Sequence, residues 1–335
     1  MLRLGPSRQR HRGALLAGAA LACGLALVAL RVASEPQRLP EPHVRSVDRS
    51  ALRPPTIGGC PAFPLSHPLN QKVDELSVAP NSREIIANIG LRGIQPDFDS
   101  KLESVNGIPF VVVPSDQPKV PIRFTEYPEE SDPGPYPIPP DPPIEGWPGN
   151  TLDRHVLVVQ EETCMLYELY HAHKTETGWD AGSGATWNLR TGAPRPAGWT
   201  SADAAGLPIA PLLVRFDEVA NGRIAHAIRV TVPRSRRAYI APAQHWAAQS
   251  DDVDLPAMGL RLRLRADYDI SDLPPQARVI AQALKTYGFI VADNGPAWEF
   301  QGAPDTRWDD EQIQRLRDIP ADAFEALDSG TVVTP

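Results

Sequence analysis

The stretch VRFDEVANGRIAHAIRVTV places a carboxylate and an imidazole where they could exchange a proton. Asn221-Gly222 lies between two alternating runs, Leu212–Val219 and Arg223–Val232, and Asn-Gly in that setting predicts a two-residue type I′ hairpin. Counting outward from the turn sets Asp217 opposite His226, with Cβ atoms about 4.5–5.5 Å apart. A carboxylate so placed orients and charges a histidine for general acid–base work. Equally, the two form a structural ion pair that sets strand register. Arg215 and Ile228 share that face, whereas Glu218, Arg223 and Arg229 fall on the other.

A second acid, Asp203, sits in Thr200–Asp203 (TSAD), which matches a capping box for a short helical turn. As a loop acid beside Ser201, it is also the candidate catalytic carboxylate outside the hairpin. Around it run Trp179, Trp187 and Trp199 among glycines and small polar residues. Aromatic faces on such loops stack against sugar rings, although tryptophan equally fills a core. Gly259–Asp269 (GLRLRLRADYD) alternates Leu260, Leu262 and Leu264 with Arg261, Arg263 and Arg265. Its polar face carries three guanidiniums about 7 Å apart, suited to the carboxylates or sulfates of an acidic polysaccharide, or to acids on the next strand.

Metal-ligating patterns are incomplete. His171-Ala172-His173 with Glu176 resembles the histidine pair of the cupins, which are jelly rolls, but the gap to the glutamate is shorter and Met165 stands where those proteins carry a glycine. Asp251-Asp252-Val253-Asp254 offers oxygen ligands for calcium without the glycine and terminal glutamate of an EF-hand loop. No metal or other cofactor is expected, with His171 and His173 the weak candidates for a divalent ion. Glu168, Asp293 and Asp305 are further acids; Asp293-Asn294-Gly295 reads first as a turn. GxxxxGK, GxGxxG and GxSxG are all missing from the sequence, against nucleotide use and an α/β-hydrolase.

The elements that must position these groups follow from composition and pattern. The chain has 335 residues, 42% of them hydrophobic, enough for a sizeable core. Its 37 prolines exclude a mostly helical protein. Residues 1–34 hold five arginines and no acid, followed through Gly13–Leu30 by eighteen uncharged apolar residues. This reads as an export segment, either a signal peptide cleaved near Ser34 or a single N-terminal membrane anchor. The remaining body carries 28 Lys and Arg against 41 Asp and Glu, which argues against nucleic acid as a partner. Cys23 lies inside the apolar run; Cys60 and Cys164 are then an even pair in an exported chain, and a disulfide between them is expected.

Glu35–Gly59 reads as a disordered tether. Ser82–Ile89, Gln276–Tyr287 and Asp310–Ile319 read as helices. Ile108–Val113, Val120–Phe124, His155–Gln160, Cys164–His171, Leu212–Val219, Arg223–Val232 and Leu260–Tyr268 read as strands. Glu126–Asn150 holds nine prolines and is expected to lie as an ordered arm over a single domain spanning 60–330. The expected fold is all-β, mainly antiparallel: a β-sandwich or jelly roll with two or three short helices.

With these residues in view, the chain resembles a family of exported microbial proteins through CPAFP, ESDPGPYPIP, DRHVLVV, CMLYELY, GWTSADAAGLPI, VRFDEV, HAIR, PAMGLRLRL and ALKTYGFIVADNG. The resemblance implies that the proline-rich segment belongs to the same unit as the strands; it carries over no catalytic residue. The expectation is an extracytoplasmic carbohydrate-active protein acting on a polysaccharide or cell-envelope glycan. A hydrolase would use Asp203 and Asp217; a lyase would use His226 or Tyr239 as base, with Arg229 or the arginine row against a uronate. The alternative is a non-catalytic glycan-binding or cell-envelope protein, in which the tryptophans bind and no acid pair converges.

Overall fold

Val156–Gln160 is a run of five buried residues, and Met165–Tyr170 is buried through its four central residues. The two pair antiparallel, and Ser183–Asn188 joins Met165–Tyr170 on the outside. Phe110–Val113 adds to the free edge of Val156–Gln160 in parallel, completing a four-stranded sheet. A second four-stranded sheet runs in the order Ile228–Val232, Phe289–Asn294, Arg261–Leu264, Phe324–Ala326, with its first pair parallel and the others antiparallel. The structure, a computed structural model, describes residues 53–103, 106–147 and 153–335.

The protein is thus rich in β structure, with sheets that are antiparallel or mixed and helices that are few and short. Parallel pairing is more prominent than the sequence pattern suggests. Among the described residues the α-helices are Ser82–Ile89, Phe216–Ala220, Pro275–Thr286 and Asp310–Gln314. The last continues as a 3-10 turn over Arg315–Asp318.

The first sheet has two apolar faces. Leu157, Val159 and Leu166 point into the main core, where they meet the second sheet's Phe289 and Leu262 within one cluster of buried side chains. Val156, Val158, Tyr167 and Leu169 point the other way, where Tyr136 and Ile138 of the proline-rich arm and Trp179 cover them. A strand buried on both faces loses its period-two signature, hence the continuous VLVV run. The arm is tied down by its polar groups as well: Asp132 accepts from Thr186 N (2.7 Å) and Arg195 Nη1 (2.6 Å).

Cys60 and Cys164 form a disulfide, with Cα atoms 5.4 Å apart. Ordered structure begins before Cys60: Thr56–Ile57 pairs with Cys60–Pro61 across a Gly58-Gly59 turn, and Ile57 is buried. The tether expected through Gly59 therefore ends earlier, because Ile57 has a core position to fill. The rest of that tether, the export segment and Cys23 lie outside the described residues. No helix among the described residues is long and apolar enough to cross a membrane.

The expected hairpin at Asn221-Gly222 is not formed. Phe216–Ala220 is helical, Asn221 has φ −80° where a type I′ turn needs a positive angle, and Gly222 has φ 76°. Gly222 N donates to Val219 O (2.9 Å) and Arg223 N to Glu218 O (3.0 Å), the bond pair of a glycine-terminated helix end. Asn-Gly satisfies either motif. The helix forms because Phe216 packs edge-on against Trp308, ring centroids 5.0 Å apart, while Val219 enters the core.

Candidate functional site

The loop Thr200–Gly206 bridges the two sheets. Ser183 Oγ, on the edge of the first sheet, donates to Ser201 O (2.7 Å), and Ala205 N donates to Ala292 O (2.9 Å) in the second. Ala292 is available because pairing between Ile228–Val232 and Phe289–Asn294 slips one residue there: Val230 faces Val291, but Thr231 faces Asp293. The extra residue of such a bulge is left without a ladder partner. Within the loop, Ser201 Oγ accepts from Asp203 N (2.9 Å) and can donate to Asp203 O (2.8 Å) or Leu207 O (2.5 Å). The capping box expected in TSAD gives way to this serine-centred turn. Gly206 closes it at φ 67°, where a Cβ would lie 2.5 Å from Trp199 O.

This loop walls a cleft of about 540 Å³ lined by Tyr127 and Glu145 from the arm, Asp153, His155, Tyr170, Asp203, Arg229, His245, Trp246, Asp293, Asn294 and Glu299, among others. The buried guanidinium of Arg229 donates to both oxygens of Asp203, Nε to Oδ2 at 2.9 Å and Nη2 to Oδ1 at 2.8 Å, while Nη1 donates to Gln301 Oε1. Burial opposes its charge, but the Asp203 carboxylate more than compensates and holds Arg229 well above its usual range.

His155 Nδ1 donates to Glu145 Oε2 (2.5 Å) and Nε2 donates to Ala202 O (3.0 Å). Neither acceptor carries a hydrogen, so the ring donates twice and is an imidazolium. Burial works against that charge, yet the neighbouring Glu145 carboxylate lifts the imidazole to about 9. Glu145 is held below its usual range: burial opposes its charge, and His155 outweighs it.

Asp293 is the odd member. Its Oδ1 accepts from Asn294 N (2.6 Å), and burial, then the charge of and a hydrogen bond to Asp203, push its carboxyl up to about 8. It is half-buried at the cleft surface and holds a proton at neutral pH. Glu299, on Glu299–Gln301, is raised too, chiefly by burial. The arrangement sets a proton-bearing carboxyl beside a carboxylate locked by arginine, with another carboxyl in the same cleft lining. That division suits acid–base chemistry.

Of the residues singled out by sequence, Asp203 lies in this cleft with Arg229 and Asp293. Asp217 does not: its side chain is 76% exposed and pairs with Arg307 Nη1 (2.8 Å). It lines a different cavity, of about 550 Å³, with Gly58, Gly59 and Asp305. His226 is buried beside Glu218 (3.0 Å) and Arg215 (3.0 Å). The helix Phe216–Ala220 turns Glu218, not Asp217, toward it, so the expected Asp217–His226 pair does not exist. Burial raises the Glu218 carboxyl, but Arg215 and His226 together hold it low.

The tryptophans and arginines have other tasks. Trp179 and Trp187 are buried in the two cores, and Trp187 Nε1 donates to Glu168 (3.0 Å). Glu168 also accepts from Ile209 N and Ala210 N, and burial pushes it to about 7. Trp199 is half-buried with Arg195 over its ring, 5.6 Å from the centroid. None of the three lines the cleft; Trp246 does, its ring near-parallel to those of Tyr239 (centroids 6.1 Å apart) and His245 (5.6 Å). Arg261 and Arg263 of the arginine row are buried, whereas the Arg265 side chain is 43% exposed. Arg261 donates to Pro68 O and Tyr287 O, Arg263 to Val73 O, Asp74 O, Leu76 O and Glu325, and Arg265 to Asp267 and Asp322 O. Acids on the next strand account for only part of this; backbone carbonyls account for most.

His171 bonds Glu126 (2.7 Å) and lies edge-on to His173, centroids 4.9 Å apart. Among the described residues no group of three His, Cys, Asp or Glu side chains is arranged to hold a metal ion. Glu145, His155, Glu299 and Trp246 carry no sequence signal for this role, since each lies in a segment whose pattern reports only strand, arm or loop. No protein-family model, curated protein or solved structure matches the chain.

Proposed function

We propose that this protein is an extracytoplasmic glycan hydrolase on a two-sheet β scaffold of the sandwich class, with Asp293 as its general acid. The observation that carries the reading is the Asp293 carboxyl, pushed up to about 8 in an open polar cleft beside the Arg229-bound Asp203. Asp293 donates its proton to the departing glycosidic oxygen. Glu299 takes the proton of the attacking water, and Asp203 acts through Asp293, its buried, Arg229-bound carboxylate helping to keep that acid protonated. Trp246 adds an aromatic group to the cleft lining. Hydrolysis is favoured over elimination because Arg229 is engaged by Asp203 and Gln301, leaving it no free edge for a uronate. The disulfide suits an oxidising compartment, reached through the arginine-rich, apolar N-terminal segment.

The test is incubation of the full-length protein with neutral, acidic and amino-sugar polysaccharides, measuring new reducing ends. Asp293→Asn is expected to lower turnover by about 10²–10⁴-fold, while Asp217→Asn retains it. Binding without new reducing ends would leave a non-catalytic glycan-binding protein in its place.

A further inference from the structure

We infer that His245 is a substrate-binding residue of this cleft, its Nε2 accepting a hydrogen bond from a sugar hydroxyl next to Asp293, so that the ligand is a glycan with that hydroxyl free of ester or ether groups. This rests on the cleft being the glycan site proposed above. Among the described residues two histidines line it, His155 and His245, and their rings differ in what they have left to offer. His155 donates from both ring nitrogens, to Glu145 and to Ala202 O. His245 donates from Nδ1 alone, to Ala204 O (2.7 Å). A carbonyl has no hydrogen to give, so this bond fixes a proton on Nδ1 and leaves Nε2 of the neutral ring as a bare acceptor. Nε2 makes no hydrogen bond to the described residues, and it is not buried.

The ring is held from several sides. Gln244 N (2.9 Å) and His245 N (3.2 Å) both donate to Ala205 O, and Gly198 N donates to Gln244 O (2.7 Å). These bonds fasten the segment to the Thr200–Gly206 loop and the chain entering it. The Trp246 ring lies near-parallel to the imidazole, centroids 5.6 Å apart. Ala204 links the imidazole to the acid: its carbonyl accepts from His245 Nδ1, and its N–H is directed at Asp293 Oδ2 (3.4 Å). Asp293 and His245 are thus placed by the two polar groups of a single residue. The two nitrogens of an imidazole point in diverging directions, so turning Nδ1 into the loop turns Nε2 away from it.

An acceptor fixed in this way takes a neutral O–H donor, and little ordering is left to be done when the ligand arrives. A sugar hydroxyl supplies the hydrogen that Nε2 lacks. The same oxygen carrying a methyl, acetyl or sulfate group has no hydrogen to give, and Nε2 would then lose its water with nothing in exchange. A site of this kind discriminates against the ligand that lacks the donor.

Nitrogen NMR of the full-length protein carrying labelled histidine tests the inference at mildly alkaline pH, with the His245 resonances identified by their contacts to the Trp246 ring. Hexasaccharides of glucose, N-acetylglucosamine and glucuronic acid are the probes, with the fully O-methylated glucose hexamer beside them. The free protein is expected to carry the His245 proton on Nδ1. A hexamer that binds is expected to shift the Nε2 resonance and leave Nδ1 in place, and the O-methylated one to leave both. His245→Asn can still donate to Ala204 O but sets no acceptor where Nε2 stood. It is expected to bind the same hexamer about three- to tenfold more weakly at an unchanged urea midpoint; should it fail to fold, the spectra of the native protein decide. A proton on Nε2 in the free protein, an unmoved Nε2 resonance with a hexamer that binds, an equal shift from the O-methylated hexamer, or undiminished affinity in His245→Asn overturns the inference. Reducing ends released alongside any of those results would leave the hydrolytic reading standing. A shifted Nε2 resonance without bond cleavage supports the inference and overturns hydrolysis. If no hexamer binds, both fall.

Discussion

Arg229 holds the carboxylate of Asp203 through two parallel hydrogen bonds, 2.9 Å and 2.8 Å, and the two side chains are 3% and 0% exposed. One residue belongs to the second sheet and the other to the loop docked on its bulge. The pair therefore fixes the loop's height over the cleft as well as the charge next to Asp293.

Removing one partner leaves a buried charge with nothing to balance it. Arg229→Met is expected to destabilise the protein by about 3–5 kcal/mol, read as a lower urea midpoint at unchanged slope. The double variant Asp203→Leu with Arg229→Met should lose less than Arg229→Met alone, because no unpaired charge remains.

The Cys60–Cys164 bridge closes a loop between residues 104 apart in sequence. Loop-closure entropy predicts that replacing both cysteines by alanine costs about 4–5 kcal/mol. Denaturation with and without reductant checks this: the midpoint of the native protein should fall on reduction, and that of the double variant should not move.

Asp293 gives stability a pH dependence of known sign. Its folded value of about 8 lies above the ordinary 3.8, so the native state binds a proton that the unfolded chain releases. The stability contribution is full below about 3.8 and is lost progressively as pH rises to about 8. His155, raised from 6.5 to about 9, adds a loss in the same direction between those values. Asp293→Asn, which mimics the protonated acid, is expected to melt higher than the native protein above pH 8 and to show a shallower decline in Tm from mildly acidic to alkaline pH.

Arg263 donates from Nη1 to three carbonyls and from Nη2 to Glu325. Lysine cannot reproduce that fork. Arg263→Lys is expected to cost about 1–3 kcal/mol in chemical denaturation and to leave glycan binding as it was; a loss of glycan affinity at native stability would return the arginine row to the binding surface.

Local pattern carried much of the secondary structure. Ser82–Ile89 forms the helix its serine start and Gly90 stop announce, and the helix expected over Gln276–Tyr287 appears as Pro275–Thr286. VLVVQ and MLYELY are strands for the reason their composition suggests. VRFDEVANG folds into a helix and not a hairpin because Asn-Gly terminates a helix as readily as it turns a hairpin, and the choice depends on Phe216 meeting Trp308, which no local window contains. The arginine row failed as a ligand surface for a related reason: alternation reports which residues share a face, not whether that face is wet.

The amino-acid sequence by itself determined the β-rich class, the cysteine pairing and the presence of a polar, serine-and-aspartate loop at Thr200–Asp203, since each follows from short-range sterics, hydrophobic period or parity. Tertiary structure alone decided the chemistry of the cleft. Glu145, His155, Asp203, Arg229, Asp293 and Glu299 come from an arm, a loop and strands far apart in sequence. Their charges are set by burial and by one another, and a carboxyl acquires a neighbour only when the packing of two sheets brings it there.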